Sequence, residues 1–276
     1  MGHKKERASF NDGGYFRRTR ALSLSLLYIL PLLVIYEVGL VILRPDSQNA
    51  AGAVVHLLFS YFGDGVLVFN VVLLLSLAIA WARTNKAGGV APHYLIFVCL
   101  EAVFWAACMM IFAVVFVSLA RQNLPVVTHL ASGASHGGAA GFDPQVYSVA
   151  TRLAHSCGAG VYEELIFRLF LCTFFVWLFG KLLGKESDGK SDEKPRTPFT
   201  AVFMGLMISA LLFALAHHIP PQKAIALDPM IFRTVCGFFL GVVFLLRGLA
   251  VAVYTHTLYD VYVLLVHPHV VAAAAG

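Results

Sequence analysis

The chain has 276 residues, 59% of them hydrophobic and 13% charged, with a mean hydropathy of +0.79 and a formal net charge of +5. A soluble domain carries about 25% charged residues, so this composition excludes a cytosolic globule, a disordered chain and a collagen-like fibre. Apolar residues gather in several runs of 16 or more, the mark of a polytopic membrane protein. In such a chain a basic excess sets orientation, and no nucleic-acid partner is read from it.

Residues 1–20 are polar and basic and read as a cytoplasmic N-terminus. The run 21–43 lacks a cleavable small-residue end and reads as a first span, with Pro31 and Glu37 at unusual depth. Residues 51–63 are too short to cross and read as an interfacial piece. Further spans are predicted at 65–83, 93–120, 146–180, 199–217, 230–246 and 249–266. That makes seven, or eight if 51–63 or part of 146–158 enters the bilayer. The runs lack the period-2 alternation of barrel strands, so the predicted fold is an all-α, polytopic transmembrane helical bundle. Residues 21–145 form its N-terminal helices and outer loop, 146–266 its functional core and 267–276 a short tail. The loop 121–145 carries SGASHGGAAG with no GK[ST] after it, which argues against a phosphate-binding loop. Residues 184–198 read as a charged linker. The five cysteines form no CxxC pair and read as small packing residues, not as disulfides or zinc ligands.

With the N-terminus inside, fourteen Lys and Arg flank the spans on the inner side and only Arg44, Arg121 and Lys223 on the outer. The positive-inside rule therefore predicts a cytoplasmic N-terminus, in what reads as a bacterial inner membrane.

Charged side chains at bilayer depth cost about 2.5–3.5 kcal/mol each on insertion scales, so each needs a reason. The spans contain Glu37, Glu101, Arg152, Glu163, Glu164, Arg168, Arg233 and Asp260, with His217, His218 and His256 near or within the same layer. Glu37, Glu101 and Arg233 are each read as groups neutralised inside the bundle. The cluster GVYEELIFR, residues 160–168, is different. Glu164 and Arg168 are four residues apart, share a helix face and can pair. Glu163 lies about 100° around the helix and is left available. An available carboxylate in a dry cavity suits general-base work. Two later spans each carry a pair at i, i+4: Phe213 with His217, and His256 with Asp260. A water held by Glu163 and His217 could attack a carbonyl, with His256 and Asp260 serving the developing oxyanion.

The patterns EExxxR (Glu163, Glu164, Arg168), FxxxH (Phe213, His217) and HxxxD (His256, Asp260) fall in that order on successive apolar segments. Over 146–266 the chain resembles the CPBP family, the CAAX proteases and bacteriocin-processing intramembrane endopeptidases also called Abi. The resemblance implies that Glu163 activates water with His217, that Glu164 and Arg168 support them, and that His256 and Asp260 stabilise the oxyanion. The last position is often Asn in the prenyl-protein proteases; an ionised Asp260 would repel an oxyanion, so it must be protonated, paired with His256 or confined to orienting it. Glu163, His217 and His256 also make an alternative His₂Glu zinc set. The sequence has no HExxH, and the family is treated as glutamate-type, so no cofactor is expected. The implied function is an intramembrane endopeptidase acting on a membrane-associated protein or peptide. The other readings are an ion or solute transporter, which would show internal repeats, and a catalytically silent scaffold.

Overall fold

The computed structural model describes residues 14–43, 65–86, 89–123, 148–184, 197–217 and 227–266. The interfacial piece 51–63, the Gly-rich stretch, most of the charged linker, His218 and the tail lie outside the described residues. Among the described residues every element is helical, as expected for an all-α membrane bundle. In chain order these are α1 (Tyr15–Thr19), α2 (Leu22–Tyr28), α3 (Leu30–Leu43), α4 (Gly65–Lys86) and α5 (His93–Asn123). They are followed by α6 (Val149–Leu182), α7 (Phe199–Ala216), α8 (Leu227–Arg247) and α9 (Leu249–Val266).

Each of the seven predicted spans is thus helical over its described residues. Among the described residues five helices are long and apolar enough to cross a membrane, and six if α2 and α3 form one broken span. α2 and α3 meet at a 41° bend. Its physical source is Pro31, which offers no N–H to the preceding turn and fits only the start of a new helix.

α9 stands at the centre. Its residues Leu249 to Thr257 are all buried, a helix enclosed on every side rather than along one stripe. α2, α5, α6 and α8 pack around it. α9 runs antiparallel to α6: Gly160 lies against Thr257, and Arg152 donates to the Leu264 carbonyl at 2.9 Å. A side chain at Gly160 would run into Thr257 and the Val253 carbonyl, so glycine is what permits this approach. Large apolar side chains on the periphery, such as Ile96, Leu100, Phe104 and Ile111 on α5, face outward, as a lipid environment requires.

α6 is not a uniform α-helix. Ser148 caps its start by accepting from the Thr151 amide at 3.1 Å. Wide π-type turns then run over Ala159–Glu163 and Leu165–Cys172, before α-helix resumes at Thr173. Such turns cluster at functional sites.

Candidate active site

The two carboxylates of α6 part company as the spacing predicts. Glu164 Oε1 lies 3.0 Å from the Arg168 guanidinium, four residues on, and 2.8 Å from His256 Nδ1. A carboxylate only accepts, so His256 donates from Nδ1. Arg168 also donates to the Gly237 carbonyl of α8 at 3.3 Å and stacks on the Phe213 ring of α7 at 4.4 Å. One buried ion pair therefore clamps α6, α7, α8 and α9 together. This arrangement matters because a lone charge at that depth is strongly destabilising.

Glu163 turns to the other side. Its Oε2 lies 3.7 Å from His217 Nε2 and 3.8 Å from His256 Nε2. These gaps are too long for direct hydrogen bonds and suit one bridging water. His217 is held from behind: its Nδ1 donates to the Phe213 carbonyl at 2.8 Å. In the neutral ring that leaves Nε2 as an acceptor facing Glu163. Asp260 Oδ2 lies 3.7 Å from His256 Nε2. The structure thus brings together all seven residues of the three motifs, Phe213 as the ring on which Arg168, His217 and His256 converge.

Exposure gives the site a direction. Glu163, Glu164 and Arg168 are at most 2% exposed, whereas the His217 and Asp260 side chains are 21% exposed. The buried pair forms the floor, and the opening lies on the His217 and Asp260 side. Depth along the helices agrees for Glu163 and His217, and His256 joins them because α9 starts higher in the bundle than α6 ends. Eight residues separate His256 from Gly248 and nineteen separate Glu163 from Leu182, about 12 and 28 Å of helical rise. The turn at Gly248 (φ +91°) rests on the backbone of Arg20 instead.

Several contributors carry no motif. Arg233, on the face of α8 one turn before Gly237, is within electrostatic range of Glu163, His217 and Tyr259. Arg233 is thus placed among the groups of the site, while Glu37 and Glu101 have other partners inside the bundle. Glu101 is bound by Arg247, and Glu37 accepts from Tyr162 at 2.5 Å. A mid-span Arg was the signal available; its partner was not. Ser209 donates to the Phe167 carbonyl at 2.5 Å, within the π-type stretch of α6. For the alternative zinc set, no group of three or more His, Cys, Asp or Glu among the described residues could hold a metal ion.

Buried carboxylates and imidazoles thus converge on one point inside an apolar helical bundle. Residues 145–262 match the family described as Type II CAAX prenyl endopeptidase Rce1-like. The match lies over the segment that carries the three motifs, and it agrees with the resemblance they carry to the CAAX proteases. No curated protein and no solved structure matches the chain.

Proposed function

We propose that the protein is an intramembrane endopeptidase in which Glu163 and His217 activate water for attack on a peptide bond of a membrane-associated protein or peptide. The observation that carries this reading is the convergence of two imidazole nitrogens on one oxygen of Glu163, at 3.7 and 3.8 Å. A water seated there gives a proton to Glu163 as its oxygen bonds to the carbonyl carbon. The carbonyl oxygen becomes negative, and His256, doubly protonated, presents Nε2–H to it while Nδ1–H stays on Glu164. Collapse of the tetrahedral intermediate breaks the C–N bond, and the proton held by Glu163 and His217 passes to the leaving amine. Asp260, whose Oδ2 lies 3.7 Å from that same Nε2, orients His256 and, being on the oxyanion side, acts there in its protonated form. Glu164 and Arg168 hold the floor in place.

The test is membrane proteomics of cells carrying the wild-type protein or Glu163→Gln. The variant is expected to fold, to accumulate an uncleaved membrane-associated precursor and, once that precursor is known, to cleave it several orders of magnitude more slowly. A purified Glu163→Gln protein that cleaves at the wild-type rate overturns the assignment.

A further inference from the structure

At the far end of α8 from the site, α1 sends its arginines two ways. Arg18 turns inward, donating to the Gly89 carbonyl at 3.1 Å and lying over the Tyr94 ring. Arg247 is likewise engaged, by Glu101. Arg17 and Arg20, three residues apart and both exposed, share the opposite face. The Arg17 side chain has no hydrogen bond or ion pair among the described residues. Arg20 spends one N–H on the Leu245 carbonyl at 3.4 Å, leaving the rest of its fork outward.

These two guanidinia border a cavity of about 460 Å³ walled by Phe16 and Leu246. Arg20 also borders a second one, about 290 Å³, whose walls are the apolar side chains of Leu22, Leu169, Phe244 and Leu249. The two share Arg20 and so form one groove, cationic at one end and apolar along the other. Phe16, Leu22 and Leu246 are exposed beside the arginines, which is the mixture expected where a helical bundle meets the headgroup layer.

We propose that this groove binds an anionic phospholipid, its phosphate bridged by Arg17 and Arg20 and one acyl chain lying along the Leu22–Leu249 wall. Planar guanidinium forks match phosphate oxygens in pairs. The unpaired positive charge selects an anionic headgroup over a zwitterionic one, whose choline it repels. The bound lipid would bridge α1 to the α8–α9 turn, and through Gly248 it would brace the start of the central helix.

The full chain, purified in detergent, is tested by native mass spectrometry against phosphatidylglycerol and phosphatidylcholine of equal chain length. One phosphatidylglycerol is expected to be retained per chain, several-fold more often than phosphatidylcholine. The double substitution Arg17→Gln, Arg20→Gln is expected to lower that retention several-fold, while Arg83→Gln, Lys86→Gln, with the same loss of charge at another exposed helix end, leaves it unchanged. Leu22→Asp, a substitution that a first helical turn accepts, is expected to reproduce the loss in a folded protein. Equal retention by wild type and the Arg17, Arg20 variant overturns the proposal, as does equal loss in both double variants. Retention of the two lipids alike, or displacement by inorganic phosphate regardless of the acyl chain, does so too.

Discussion

Glu163 and Glu164 are neighbours in sequence and opposites in environment. One is tied to a guanidinium and an imidazole; the other faces two imidazole nitrogens at 3.7 and 3.8 Å. Spacing alone made that division legible, because four residues return to the same face and one residue does not. What spacing could not supply was the partner across the bundle, His256 on Glu164 or Gly237 on Arg168. Arg168→Ala is expected to strip Glu164 of its cation at depth and destabilise the protein by about 3–5 kcal/mol. Arg168→Lys should recover only part, since an ammonium cannot both pair with Glu164 and reach the Gly237 carbonyl in a flat fork. Thermal unfolding in detergent checks both, and equal midpoints for the three proteins would refute the clamp. Asp260→Asn should keep activity within about tenfold of wild type and Asp260→Ala should lose more, because either a carboxamide or a protonated carboxyl can orient His256. A cleavage assay on the identified precursor measures the difference.

At the scale of the helix, hydropathy placed a helix at every predicted span, and the internal details escaped it. The bend before α3 is signposted by Pro31, whereas the π-type turns of α6 leave no mark in propensity. Nor does composition announce that α9, no more apolar than its neighbours, is the helix buried on all sides. That role follows from close approach, and Gly160 is its enabling residue. Gly160→Val is expected to force α6 and α9 apart against Thr257, at about 1–3 kcal/mol for an overpacked contact. Because His256 sits one residue before Thr257, the same change should lower cleavage more than the loss of folded protein explains. Specific activity per folded molecule is the measurement.

Over the whole molecule, a second, partly buried ion pair holds distant parts of the chain together. Arg247 at the end of α8 pairs with Glu101 of α5, which also accepts from Tyr15 at 2.6 Å and Trp105 at 3.1 Å. Sequence reading saw the charge on Glu101 and counted Arg247 as a flanking cation, since 146 residues separate them. Glu101→Gln should therefore lower the unfolding temperature and leave specific activity unchanged, separating architecture from chemistry. Orientation has its own test. If the N-terminus lies inside, as the positive-inside rule predicts, the opening beside His217 is expected to face the outer half of the membrane. In a background without native cysteines, an impermeant thiol reagent added from outside should label cysteines placed at Ile219 or Ser135. Labelling only in inverted vesicles would turn the site toward the cytoplasm.

The π-type turns of α6 also set how this active site tolerates changes in chain length. A turn closed by an i to i+5 bond holds one residue more than an α-turn. Removing a single residue between Ala159 and Glu163 would let the ladder close up as ordinary helix. The wide turn absorbs that residue without changing how the flanking segments face, so closing it leaves them in phase and narrows only the turn itself. Gly160 and Glu163 both lie on that turn, so one residue fewer there draws Gly160 away from Thr257 or Glu163 away from His217. The helix that carries the carboxylates is thus keyed by a count of residues, and its two functions, seating the central helix and aiming the base, are locked to the same extra residue.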